Sequence, residues 1–194
     1  VVNQAVPVKS VAELIALAKA KPGDLNYASS GTGATSHLAG EMLKSMAGIN
    51  IVRISYKGAG QAMNDLLAGQ VQVAFPTAGA AAAHMRAGRV RALAVTSLEP
   101  SPLAPGLPTV ASVVPGYETT AIYGLFVPAR TPATLINRLH REAVQVVKSA
   151  EVKDKLQSAA VETVGDTPDQ LIARVKGDMA RMKKVIDAAG ISAK

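Results

Sequence analysis

Between Leu25 and Thr96 the chain passes three times through the same order of β-prone run, small-residue loop and amphipathic helix. Leu25 to Ser29 reads as a short strand, and Leu38, Met42, Leu43 and Met46 mark one face of a helix that stops near Gly48. The β-branched run Ile51-Val-Arg-Ile-Ser55 follows, then the loop Tyr56-Lys-Gly-Ala-Gly60 and a helix over Gln61 to Ala68 with Gly69 as its C-terminal glycine. Val71-Gln-Val-Ala-Phe75 begins the third unit, with a loop at Pro76-Thr77-Ala78, an alanine-rich helix ended by Gly88, and an apolar strand over Val90 to Thr96. Successive units of this kind predict right-handed crossovers between parallel strands, hence an α/β fold with a sheet covered on both faces. Ligands on such sheets sit beyond the carboxyl ends of the strands, which places the three loops at any site.

The remaining elements follow from punctuation. Ser10-Val-Ala-Glu13 has the spacing of a capping box for a helix that runs to about Lys21 and stops at Pro22-Gly23. Prolines at 100, 102, 105, 108 and 115 mark residues 98–116 as a connector, because that density builds neither a helix nor an interior strand. Thr119 to Val127 is expected to resume as a strand. Thr131-Pro132 opens a long helix to about Lys148, Val161 to Val164 reads as a short strand, and Thr167-Pro-Asp-Gln170 caps a final helix to Ala189.

The loop Ser29-Ser-Gly-Thr-Gly-Ala-Thr-Ser36 carries the chemistry. Ser29, Ser30, Thr32, Thr35 and Ser36 offer hydroxyl groups next to a helix start, where free backbone N–H groups and the helix dipole favour an anion. Capping needs one or two such residues and five exceed that need; with the resemblance given below, at least two are expected to serve a ligand carboxylate. Tyr56, Gly58 and Ala59 form a second loop at a helix start, offering a phenol and backbone N–H groups; Lys57, a lone lysine, is more often solvated. Thr77 in the third loop is expected as an edge contact to the ligand.

Composition narrows the partner. The net charge of +7 and pI near 9.8 ask for an anion, but the basic residues are scattered and aromatics are 3%, too few for base stacking. A small organic anion is therefore preferred and nucleic acid is not expected. The chain has no cysteine, which removes disulfides, zinc-thiolate sites and cysteine nucleophiles. His37, His84 and His140 lack metal-ligand spacing, and Gly31-Thr-Gly33 and Gly58-Ala-Gly60 match neither a dinucleotide fingerprint nor a Walker loop, so no metal or cofactor is expected. Without a Gly-x-Ser-x-Gly elbow or a patterned triad, catalysis is disfavoured and the protein is not expected to be an enzyme.

The ordered set Leu25-Asn-Tyr-Ala-Ser-Ser-Gly-Thr-Gly-Ala-Thr-Ser-His-Leu-Ala-Gly-Glu41, Tyr56-Lys-Gly58, Asp65-Leu-Leu-Ala-Gly-Gln-Val71, Gly88-Arg-Val-Arg-Ala-Leu-Ala-Val-Thr96, Leu107-Pro-Thr-Val110, Pro115-Gly-Tyr117 and Tyr123-Gly-Leu-Phe-Val-Pro128 resembles the substrate-binding proteins of tripartite tricarboxylate transporters, the Bug family. The resemblance implies a type II periplasmic-binding-protein architecture of two α/β lobes, a periplasmic location, and closure over a small carboxylate that is delivered to a membrane permease. The family's opening export signal and its first-lobe Gly-Gly loop followed by aspartate have no match here. The chain is therefore expected to start at the crossing into the second lobe, with residues 8–97 as the ligand-binding lobe and 1–7 and 117–194 as an incomplete other lobe. Pro76 and Ile122 stand where relatives often carry an acidic or amide residue and a tryptophan. Tyr123 is either the other lobe's contribution to the ligand or a core tyrosine. The missing part further implies weak binding and self-association of this chain. An effector-sensing module is the alternative function, and a serine-dependent enzyme acting on a carboxylate is a more distant one.

Overall fold

A computed structural model describes residues 1–191. The chain divides into two compact units, one comprising residues 1–121 with the segment from Met182 onward, the other residues 122–181.

In the first unit the elements are β1 (Val2–Asn3), α1 (Val11–Ala20), β2 (Asn26–Ser29), α2 (Thr35–Ala47), β3 (Val52–Ser55), α3 (Ala59–Leu67), β4 (Val73–Ala74), α4 (Ala78–Arg86) and β5 (Val90–Arg91). The sheet runs β3-β2-β4-β1-β5. β2 pairs in parallel with both β3 and β4, as the repeated units predict. Side-chain alternation along these strands separates two cores. Tyr27 and Val73 point into a cluster with Leu14, Met42, Leu43 and Ile51, while Ala28 and Ala74 point into a second with Met63, Leu66 and Val71. Both faces are thus covered.

The first residues differ from expectation. Val2, fully buried, pairs antiparallel with Val73 of β4 and with Arg91 of β5, so residues 1–7 belong with the sheet rather than with another lobe, and the sheet is mixed. Asn3 fixes this strand: its Nδ2 donates to the Leu66 carbonyl (2.7 Å) at the end of α3, and its Oδ1 accepts from Ala5 N–H (2.8 Å). The first bond adds to the Gly69 N–H that the Leu66 carbonyl already accepts at the helix end, and so ties the strand to α3.

Ser10 caps α1 by accepting from Glu13 N–H, and the Glu13 carboxylate accepts in return from the backbone of Lys9, one residue before the cap. The strand expected over 90–96 is confined to Val90–Arg91; beyond it Val95 bonds to Pro108 and Val110 instead. That pairing draws the proline-rich stretch into the unit. A 3₁₀ turn at Val110–Ser112, capped by Thr109, brings Val110, Val114 and Tyr117 into the first core. Residues 98–116 are therefore not a free connector, and the division between units falls after Ala121.

The second unit contains α5 (Ala133–Lys148), α6 (Ala150–Ser158) and the start of α7 (Pro168–Ala189). Pro132 precedes α5 as its cap rather than occupying its first turn. The Thr167 box forms in both directions, with Thr167 N–H donating to Gln170 Oε1 and Gln170 N–H to Thr167 Oγ1. Neither 119–127 nor 161–164 is a strand, because neither acquires a ladder partner among the described residues, and β-propensity without pairing does not hold a strand. Helix α6 went unforeseen; Ser149 breaks the helical run and starts it again.

Candidate functional site

Strands β2, β3 and β4 are parallel neighbours, so their following loops emerge at one edge of the sheet and each leads into a helix N-terminus. The crossover from β2 runs toward β3, whereas the chain leaving β4 runs to the opposite side. The edge beyond β2 and β4 is thus a topological switch point, where open α/β sheets take their ligands.

The loop after β2 is shaped by its own hydroxyls. Ser36 Oγ accepts from Ser30 N–H (3.0 Å) and lies 3.0 Å from Ser30 Oγ. Gly33 N–H donates to His37 Nδ1 (3.1 Å). Gly31 and Gly33 take φ values of 142° and 76°, which side-chain-bearing residues adopt only with strain. No side chain caps α2 at Ala34, and Thr35 is exposed in its first turn, so the helix end stays open to an anion.

Arg53 organises the other hydroxyls, and reading the sequence alone passed over it. In the parallel register Tyr27 lies beside Arg53 and Ser29 beside Ser55, which puts Ser29, Arg53 and Ser55 on one face of the sheet. Arg53 Nε donates to the buried Ser29 Oγ (2.8 Å), and Nη2 donates to Thr32 Oγ1 and Ser55 Oγ, both at 3.1 Å. Among the described residues no carboxylate forms an ion pair with Arg53. Glu41 is held instead by Lys44 Nζ (2.9 Å) and by the Tyr27 hydroxyl (2.7 Å). The available signal was a charged residue inside the β-branched run 51–55, two positions before a serine.

The other expected contacts divide. The Tyr56 hydroxyl is committed to Asp65 (2.8 Å); burial first, then this bond, pushes its pKa up to about 12, while its backbone N–H donates to Ser29 O. Gly58 starts α3 without a side-chain cap and Ala59 is exposed, which leaves N–H groups at that helix end. Thr77 caps α4 by accepting from Ala80 N–H (3.4 Å). Tyr123 lies in the second unit and is 72% exposed. No group of three His, Cys, Asp or Glu residues among the described residues is placed to hold a metal.

The family described as tripartite tricarboxylate transporter family receptor matches this chain over residues 1–191. The chain belongs to the tripartite tricarboxylate transporter receptor family. A UPF0065 protein in the tcbD-tcbE intergenic region of Pseudomonas sp. (strain P51) is 32% identical over 180 residues, 92% of this chain. This receptor-family chain spans 54% of that relative's length. Among solved structures, Rpa4515 of R. palustris with adipate is 34% identical with a TM-score of 0.88, covering 98% of this chain and 64% of that one. The periplasmic binding protein BugD is 28% identical with a TM-score of 0.84, covering 100% of this chain and 66% of that one. The fold is thus the α/β fold of the periplasmic binding proteins, and the family and its structural neighbours are receptors and binding proteins.

His37 makes the loop sensitive to pH. Its ring is buried and its Nδ1 must be unprotonated to accept from Gly33; burial first, then the Arg53 charge, hold its pKa below the ordinary 6.5, with Glu41 opposing and Lys44 adding to the shift. A base whose folded pKa is depressed stabilises the fold fully above its unfolded value and loses that contribution as pH falls through the folded one. Melting of the protein and of His37→Asn, compared between about pH 7.5 and 5.5, should show the wild type losing stability that the variant does not lose. Parallel pH profiles would remove His37 from this role.

Proposed function

We propose that this chain is the ligand-binding part of an extracytoplasmic solute receptor that captures a small carboxylate and hands it to the membrane permease of a tripartite tricarboxylate transporter. One observation carries the reading: at the switch-point edge a guanidinium without a carboxylate partner among the described residues stands among hydroxyls and open helix N-termini. Such an edge offers donors to an anion and little to a cation. Family membership and the adipate held by the R. palustris neighbour support a carboxylate over other anions. The same contacts weigh against a serine-dependent enzyme. Ser29 meets an arginine, which takes no proton from a nucleophile, and among the described residues Ser30 Oγ meets only Ser36.

Titration calorimetry of the protein with succinate, glutarate and adipate tests the reading. At least one should bind measurably but more weakly than micromolar, the range that requires roughly 8 kcal/mol, because the chain spans 54% of its relative's length. Replacing Thr35 and Ser36 together by alanine should weaken that binding while the protein stays folded. If none of the three produces heat at millimolar concentration, the receptor reading fails.

A further inference from the structure

We infer that Arg53 supplies the fixed counter-charge for the ligand's carboxylate and, by occupying acceptor sites on Thr32 and Ser55, turns those hydroxyls into donors that select an ionised carboxylate over its amide. The inference rests on the receptor reading above and names the group that recognises the charge.

A hydroxyl has one proton and two lone pairs, and its neighbours decide which it presents. Thr32 Oγ1 and Ser55 Oγ each accept from Arg53 Nη2, so a lone pair of each is spent inward and its proton is left to point elsewhere. Among the described residues neither hydroxyl donates to a protein acceptor, and both residues are exposed. Ser29 differs: it is buried, accepts from Nε, and has the Ile54 carbonyl 3.5 Å away for its proton. Ser29 therefore anchors the guanidinium from below, while Thr32 and Ser55 stand at its open side. The three bonds use one Nε proton and two Nη2 protons. Both Nη1 protons remain without a partner among the described residues, on a side chain that is only half-buried.

The result is four donors with no acceptor among the described residues, two from Nη1 and one from each hydroxyl. A carboxylate, which only accepts, can take up any of them. An amide brings an NH₂ group that would face donors, and it lacks the charge that strengthens the guanidinium contacts. The guanidinium is also held in place before any ligand arrives, so little side-chain freedom is lost on binding. Lys57, exposed and without a described partner, has no comparable anchoring.

The experiment is titration calorimetry with adipate and with its diamide, adipamide, on the wild type, Arg53→Gln, Arg53→Lys and Thr32→Val. Arg53→Gln should lose adipate affinity on the order of 10- to 100-fold, as the loss of charged hydrogen bonds implies. Its affinity should also respond less to added salt, a readout that loop rearrangement alone would not change. Arg53→Lys keeps the charge and should retain more affinity than Arg53→Gln. Thr32→Val should weaken binding several-fold, about one hydrogen bond's contribution, with the salt response intact. Adipamide should bind the wild type poorly. Unchanged adipate affinity in Arg53→Gln would overturn the inference, as would equal losses in the glutamine and lysine variants. If that result came with weakened binding in the Thr35 and Ser36 double variant, the receptor reading would survive; failure of the wild type to bind any of the three dicarboxylates would remove both.

Discussion

Replacing Gly40 by alanine should destabilise the protein by about 2–3 kcal/mol, although alanine is the better helix former by ~1 kcal/mol. Gly40 is buried in the middle of α2, where the helix crosses the sheet over Tyr27. A Cβ built there would overlap Tyr27 Cε2 and lie 2.5 Å from its Cζ, far inside van der Waals contact. The ring has nowhere to retreat. Tyr27 is fully buried, its hydroxyl is bonded to Glu41, and Phe75 packs edge-on against it with ring centroids 6.0 Å apart. The strain must therefore move α2 away from β2, and with it the loop that α2 terminates. Chemical denaturation should show a lower midpoint with an unchanged slope, and adipate affinity should fall in parallel. Tyr27→Leu makes room for the new methyl group, so Gly40→Ala added to Tyr27→Leu should cost far less than in the wild type, a non-additivity expected of touching residues. A fully stable Gly40→Ala protein would contradict the close approach of helix and sheet.

What the sequence discloses about this region depends on the range of the interaction. Periodicity marks α2 and the parallel strands because their patterns are local: Leu38, Met42 and Leu43 recur at helical spacing, and residues 51–55 are β-branched. The hydroxyl cluster was legible for the same reason, since five Ser and Thr residues crowd one loop. Arg53 was not, because its importance arises only when β3 is placed beside β2 and the register carries Ser29 and Ser55 to the same face. Tyr56 shows the converse. It sits in the right loop, but Asp65, nine residues on and inside α3, claims its hydroxyl. Val2 and Asn3 gave no periodic signal at all; two residues suffice to pair with β4 and β5 once those strands exist. The stretches 119–127 and 161–164 err the other way, since β-propensity names a strand before a partner is known.

The stretch 98–116 is where local and long-range information conflict most, and Tyr117 just past its end decides between them. If these residues were only a proline-rich connector, truncating Tyr117 would change stability little. The structure instead buries Tyr117 completely in the first core, beside a turn that also buries Val110 and Val114, and directs its hydroxyl to the Ala39 carbonyl of α2 at 3.0 Å. Tyr117→Ala should therefore cost about 3–5 kcal/mol, the range for emptying a large aromatic site in a core. Tyr117→Phe keeps the ring and should cost about 1 kcal/mol, one hydrogen bond. Leu98→Ala, at a 48% exposed position in the same proline-rich stretch, should stay within about 0.5 kcal/mol of wild type. This ordering separates a core element from a tether, because a tether would leave all three variants alike. Tyr117 bonds the residue next to Gly40, so its loss removes a second tie on α2 beside the Tyr27 contact. Denaturation of the three variants, followed by adipate titration of those that stay folded, should show affinity falling with Tyr117→Phe but not with Leu98→Ala. Equal affinity in both would mean that α2, and the hydroxyl-rich loop at its start, is held by the sheet contact at Gly40 alone.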